Sequence, residues 1–178
     1  MAERREQVWK EWREHNDRLR PLLSTDLIWV LDFLLDDAQV YLLHINPQEQ
    51  TLSLGLYAGD SERGYFKLDY NYSGVTITEQ EIQLLCRIVH DIDNEIAWDE
   101  LHLNETENGP VYSHRICWHT SIRTGMLAED TYSTLQPEIE IRFTGFSMTK
   151  TPFDDVAGEQ EIPDIQIIRN PDVIEGLY

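Results

Sequence analysis

The chain has 178 residues, 41% of them hydrophobic, and it carries 33 acidic against 14 basic side chains. This length and apolar content suit one globular domain and exclude an intrinsically disordered protein. The surplus of negative charge excludes a nucleic-acid-binding protein, because no basic stripe is present to displace phosphate counterions.

The negative charge is concentrated after residue 20. Residues 1–20 hold 6 basic and 5 acidic side chains, so the other 8 bases and 28 acids fall in residues 21–178, a net charge of −20. Such a surface attracts cations and basic proteins. An acidic surface also keeps a protein soluble, so recognition and solubility are both open as explanations.

The first predicted element is an amphipathic helix over residues 2–19, in which charges of opposite sign alternate. Pro21 is expected to end this helix, because the residue before a proline avoids helical dihedral angles. A second helix is predicted over residues 27–37, where Asp32 is the only polar side chain within an apolar run. A buried strand is the alternative for part of this segment.

Strand signals follow, with a hydrophobic period of two residues. The predicted strands cover residues 39–45, 51–57 and 65–72, and the links between them contain the turn-forming residues Asn46, Pro47 and Gly59. Links this short require antiparallel pairing. The three strands are therefore expected to form a meander with one apolar and one polar face.

The clearest helix signal covers residues 79–97. Thr78 and Glu81 form a capping-box pattern, and apolar residues then recur every three or four positions. The helix is expected to pack on the apolar face of the sheet. It would stack three acidic side chains on one side, namely Asp91, Glu95 and Asp99.

The rest of the chain is predicted to be mostly extended. The expected segments are a short extended piece at 98–103, a loop at 104–110, strands at 111–122 and 135–146, and a short strand at 165–168. The order of elements predicts an α+β fold, in which an antiparallel sheet of about five or six strands carries helices on one face. The expected organisation is an N-terminal amphipathic helix (1–20), a core domain (21–150) and an acidic, mostly irregular tail (151–178).

Motifs for catalysis are absent from the sequence. No nucleophile elbow, phosphate-binding glycine run, zinc-protease helix or deaminase pattern is found, so an enzyme is not favoured and no cofactor is predicted. The acids that begin at Asp91 resemble a calcium loop, but Ile96 stands where such a loop requires glycine. No metal site is predicted, and Cys117 and His119, two apart on a strand, are only weak zinc candidates.

Location is predicted from what the sequence lacks. The first residues have no apolar core of the kind that a secretory signal needs, and no run of about 18 apolar residues predicts a membrane span. A cytoplasmic location is therefore expected. The two cysteines, Cys86 and Cys117, are expected to be free thiols.

These features favour a soluble, non-catalytic protein whose acidic surface binds a basic protein partner, as an inhibitor or immunity protein masks a cationic toxin. The expected contact residues are acids and aromatic anchors: Asp91, Glu95, Asp99 and Glu100, with Trp98 or Tyr65. Two alternatives are open. One is a small-ligand or metal-binding domain, or an enzyme, that uses a cleft of His, Cys and carboxylate side chains. The other is a structural component that assembles through its N-terminal helix.

Overall fold

A computed structural model describes residues 2–32, 35–60, 64–90, 95–119, 137–153 and 164–168. The helices are α1 (Ala2–Leu19), α2 (Thr25–Asp32) and α3 (Glu79–Val89), with a short 3-10 turn at Arg20–Leu22. The strands are β1 (Gln39–Asn46), β2 (Thr51–Asp60), β3 (Gly64–Ser73), β4 (Glu95–Thr106), β5 (Gly109–His119), β6 (Glu138–Phe143), β7 (Gly145–Phe153) and β8 (Asp164–Ile167). None of the helices in these ranges is long and apolar enough to span a membrane.

The fold is roughly α+β, as the sequence predicts, but the described sheet has eight strands instead of five or six. The strand predicted over 135–146 is in fact two strands, because the chain turns at Thr144, whose N–H donates to the Ser73 carbonyl. The loop predicted over 104–110 is also wrong. Strands β4 and β5 continue through this segment to a tight turn at Glu107 and Asn108.

The largest difference from the prediction lies in the third helix. The capping box is confirmed, since the Glu81 N–H donates to the Thr78 hydroxyl and the Thr78 N–H donates to the Glu81 carboxylate. The helix ends at Val89, however, and Glu95 begins β4. The Ile96 N–H donates to the Ala38 carbonyl, so tertiary pairing with the start of β1 prevails over helical periodicity here.

This change removes the predicted helical stack of acids. Glu95 and Asp99 lie on a strand about 13 Å apart along the chain, and an irregularity in the pairing between Ile96 and Trp98 places their side chains on opposite faces. Asp91 lies outside the described residues. The second helix also does not reach residue 37 as predicted: α2 is described over Thr25–Asp32, residues 35–37 are not helical, and Asp37 adopts a left-handed conformation with φ 63° in the turn before β1.

The sheet order is β6-β5-β4-β1-β2-β3-β7, all antiparallel, and β8 pairs with β1 in parallel. The predicted meander of β1, β2 and β3 is confirmed. Among the described residues, the pairing of β4 with β1 is limited to Glu95 and Gln39, so β4, β5 and β6 can diverge from the other strands.

The sheet folds back over its own apolar face. The rings of Tyr72 on β3 and Phe143 on β6 lie 5.0 Å apart, although five strand spacings, about 24 Å, would separate these strands in a flat sheet. The core therefore lies between β1–β3 and β4–β6. Helices α2 and α3 contribute to the same core, through Leu27, Val30, Ile82 and Leu85 among others.

Candidate functional site on strand β4

Strand β4 presents different chemistry on its two faces. An irregularity in the pairing with β5 between Ile96 and Trp98 inserts one extra residue, after which the alternation of side chains resumes. Asp99 and Leu101 then face the core, whereas Trp98, Glu100 and His102 belong to the opposite face. The predicted contact residues of β4 are thus divided between the interior and the surface.

The inward face carries a chain of polar side chains that crosses the core. Nε2 of His114 lies 2.9 Å from Oδ2 of Asp99, and Nδ1 of His114 lies 2.8 Å from the Tyr72 hydroxyl. A carboxylate accepts only, so Nε2 carries the proton and Nδ1 accepts from Tyr72 in the neutral imidazole. The His114 side chain is only 1% exposed, and that of Asp99 is 12% exposed.

This buried chain joins three strands rather than presenting a reactive group to solvent. Tyr72 lies on β3, Asp99 on β4 and His114 on β5, and burial raises the pKa of Tyr72 far above its ordinary value. The neighbouring Tyr70 is equally buried, but its hydroxyl has no hydrogen-bond partner within the described part of the chain. The two tyrosines therefore differ in hydrogen bonding while sharing a strand and an environment.

The outward face combines an exposed indole with acidic side chains. Trp98 is 40% exposed, and it lies opposite Cys117 of β5, which in turn lies opposite Glu138 of β6. One step along the strands, Glu100 lies opposite Arg115, which lies opposite Glu140. We call the outward side chains of Glu95, Trp98, Glu100, Arg115, Glu138 and Glu140 the β4–β6 outer face.

The basic group of this face is held by its acidic neighbours. Nε of Arg115 donates to Glu138 over 2.9 Å, and this hydrogen bond, with the charges of Glu138, Glu100 and Glu140, raises the pKa of Arg115. The Glu140 carboxylate in turn accepts from Arg142. The face that carries the Trp98 ring thus keeps an excess of acid.

Helix α1 meets β4 beside this face through a histidine that the sequence analysis does not single out. Nε2 of His15 lies 2.8 Å from the Leu101 carbonyl oxygen, and the rings of His15 and His102 lie 5.0 Å apart. One ligand atom from each of His15, Glu100 and His102 lies within 4.8 Å of the others. This is the group of potential metal ligands that the described residues contain.

The structure brings together only some of the predicted contact residues. Trp98 and Glu100 share the outer face, and Glu95 begins the same strand, where its carboxylate accepts from the Gln39 side chain over 3.2 Å. Asp99 instead faces the core. Tyr65 lies on β3, three strands away from β4 in the sheet, and Asp91 lies outside the described residues.

The weak zinc candidates Cys117 and His119 follow each other on the same side of β5, but no third ligand joins them among the described residues. Burial raises the pKa of the Cys117 thiol, and the Glu138 charge raises it further. Both effects oppose the thiolate form that binds metals. Both cysteines are free thiols in the structure.

Alternation along β4 could have identified Glu100 and His102 as neighbours on one face, because the sequence places Leu101 and Leu103 in phase on the other. The approach of His15 could not be foreseen, since 86 positions separate it from Leu101 and only the tertiary fold joins them. Comparison of the chain with protein-family models, with curated proteins and with solved structures gives no match.

Proposed function

We propose that this chain is a non-catalytic protein that binds a basic protein partner through the β4–β6 outer face. The observation that carries the proposal is the position of Trp98, an exposed indole on the same face of the sheet as Glu95, Glu100 and Glu138, on a body with 20 more acids than bases after residue 20. Exposed tryptophan is enriched among the side chains that dominate binding energy at interfaces.

The two kinds of side chain would act at different stages of binding. Acidic groups steer a cationic partner and raise its association rate by about 10-fold to 10³-fold at low salt. The Trp98 ring would then enter a pocket on the partner and slow dissociation. An inhibitor or immunity protein that masks a cationic toxin needs this combination of fast capture and slow release. A cytoplasmic location, where the thiols of Cys86 and Cys117 stay reduced, belongs to the same proposal.

The proposal is tested by immobilising the full chain in EDTA and exposing it to an extract of its own cells at low and at high salt. Each retained protein is identified, purified and tested again for direct binding. The expected result is at least one basic protein that binds at low salt and dissociates at high salt. Failure to retain any basic protein at low salt contradicts the proposal.

Two variants that each remove one negative charge locate the contact. Glu100 lies in the β4–β6 outer face, whereas Glu105 is exposed near the far end of β4. Glu100→Gln is expected to lower the association rate of the purified partner by about 2-fold to 10-fold, and Glu105→Gln is expected to lower it less. Equal effects of the two variants would indicate attraction by overall charge alone and would reject this face as the contact.

A further inference from the structure

Strand β4 and helix α1 form a second feature beside the Trp98 ring. Glu100 and His102 project from the same side of β4, and His15 approaches them from α1. The group contains two imidazoles and one carboxylate, which is a ligand set used by zinc and neighbouring transition metals. Donor atoms around tetrahedral zinc, bonded at about 2.0–2.1 Å, lie about 3.4 Å apart. One ligand atom of each residue lies within 4.8 Å of the others, which exceeds that spacing by at most about 1.4 Å.

His102 supplies the first observation that points to an ion. Its Nε2 atom is buried and lies 3.0 Å from Oε2 of Glu100, yet the atom has no hydrogen-bond partner among the described residues. The distance between the two atoms suits a hydrogen bond, but the angle at which the ring nitrogen and the carboxylate meet does not. A ring nitrogen and a carboxylate oxygen that converge in this way can both be satisfied by one cation placed between them. A buried polar atom left unpaired would otherwise destabilise the folded chain.

His15 supplies the second observation. A carbonyl oxygen accepts only, so the contact of His15 Nε2 with the Leu101 carbonyl places the proton on Nε2. In the neutral ring, Nδ1 then carries the lone pair that a metal requires. Metal-binding histidines commonly donate their other ring N–H to a backbone carbonyl or a carboxylate, which fixes both the tautomer and the orientation of the ring.

The surrounding charges favour a divalent cation. Arg115 approaches Glu100 at 3.9 Å, but its guanidinium group is held by the closer carboxylate of Glu138. The acidic body of the protein raises the local concentration of cations. Two imidazole ligands select zinc, copper or nickel over magnesium and calcium, which prefer oxygen ligands.

We propose that His15, Glu100 and His102 bind one divalent transition-metal ion, zinc in the first instance. The ligands are Nδ1 of His15, Nε2 of His102 and a carboxylate oxygen of Glu100, and water completes a tetrahedral shell. The ion connects α1 to β4 and so stabilises the docked position of the helix. The metal site and the binding of the basic partner are tested separately, because partner binding is measured in EDTA, which removes divalent metal ions.

The test uses the full chain, stripped of metal with EDTA, dialysed, and titrated with zinc chloride in a calorimeter. One equivalent of zinc is expected to bind. His15→Asn, Glu100→Gln and His102→Asn should each weaken the affinity by about tenfold or more, because each removes one of three ligands. Circular dichroism confirms that each variant is folded, and zinc should raise the Tm of the parent chain but not that of His102→Asn.

His44→Asn is the matched control. Nε2 of His44 lies 2.9 Å from a carboxylate oxygen of Asp164, so this pair resembles His102 and Glu100 but lacks a third ligand among the described residues. The control is expected to bind zinc like the parent chain. Two-dimensional NMR of the imidazole nitrogens should show zinc-dependent shifts at His15 Nδ1 and His102 Nε2.

Three results would overturn the proposal. The first is no zinc binding by the parent chain. The second is unchanged affinity in the three ligand variants, which would place the ion elsewhere. The third is an equal loss of affinity in His44→Asn and His102→Asn, which would indicate weak binding by scattered His–carboxylate pairs.

Discussion

Asp99 and Glu100 are adjacent in β4, but their carboxylates lie on opposite faces of the strand and contact different histidines. Asp99 lies 2.9 Å from Nε2 of the buried His114, and Glu100 lies 3.0 Å from Nε2 of His102 beside α1. The inward contact fixes β4 against β3 and β5. It thereby fixes the outward positions of Trp98, Glu100 and His102, on which both proposals depend.

The buried hydrogen-bond chain predicts opposite results for two neighbouring tyrosines. Tyr72→Phe removes the hydroxyl that donates to His114 and leaves Nδ1 unpaired, so the free energy of unfolding should fall by about 1–3 kcal/mol. Tyr70→Phe removes a buried hydroxyl that has no partner in the described chain, so stability should stay the same or rise. Urea unfolding of both variants and the parent chain measures the difference.

Because Tyr70 and Tyr72 share a strand and are both almost fully buried, each variant controls for the packing change in the other. Equal destabilisation of the two variants would show that the Tyr72–His114 hydrogen bond adds nothing to stability. The m-values must also agree with that of the parent chain, since a changed slope would report a change in compactness instead.

Tyrosine ionisation should make the protein sensitive to alkali. Burial raises the pKa of Tyr70 and Tyr72 well above the ordinary value, and at Tyr41 burial and then a hydrogen bond to Asp69 also raise the pKa. In the unfolded chain these groups ionise near pH 10. Their contribution to stability is therefore complete below about pH 10 and is lost progressively as the pH rises above it.

Absorbance at 295 nm follows the ionisation. Tyr41→Phe is expected to leave the titration of the folded chain near pH 10 unchanged, because Tyr41 is still protonated there. In urea the same variant should lose the absorbance of one tyrosine. A smaller absorbance change for the folded variant near pH 10 would show that the pKa of Tyr41 is not raised.

Gly55 is required by the ring that lies over it on the solvent side of the meander. A Cβ atom at Gly55 would lie 2.7 Å from the Tyr41 ring and 2.8 Å from the Leu42 Cβ atom, and the Tyr41 ring also packs 4.7 Å from the Tyr57 ring. Gly55→Ala should therefore displace Tyr41 from Asp69 and lower the free energy of unfolding by about 1–3 kcal/mol. Thermal and urea unfolding measure the change.

A double-mutant cycle separates this contact from the backbone effect of alanine in a strand. In the Tyr41→Ala background the ring is absent, so Gly55→Ala should cost less than in the parent chain. Equal costs in the two backgrounds would mean that the clash with the Leu42 Cβ atom, and not the Tyr41 ring, causes the loss of stability.

Local signals in the sequence predicted elements better than their ends. The alternation at Leu52, Leu54 and Leu56 predicted β2, and the capping box at Thr78 and Glu81 predicted the start of α3, because both depend on neighbouring residues. The predicted end of α3 was wrong. Ile92 and Ile96 continue the helical spacing in the sequence, but in the fold the Ile96 N–H donates to the Ala38 carbonyl.

The candidate sites depend on contacts that are distant in sequence. Trp98 was predicted as a contact residue from its aromatic ring and Glu100 from its charge, and the structure places both on one face. The inward position of Asp99 follows from the extra residue between Ile96 and Trp98, which no local pattern reveals. The contacts of His15 and His114 depend on how α1 docks and how the sheet folds over, and these are properties of the whole chain.

The most direct test of the proposed function compares two exposed tryptophans. Trp98 lies in the β4–β6 outer face, and Trp9 lies on α1 and is 53% exposed. The dissociation rate of a basic partner identified by capture is measured in EDTA for the parent chain, Trp98→Ala and Trp9→Ala. We predict that Trp98→Ala speeds dissociation at least about 30-fold, which corresponds to about 2 kcal/mol, and that Trp9→Ala leaves it within about 2-fold. Unchanged dissociation of Trp98→Ala would contradict the proposal that this face binds the partner.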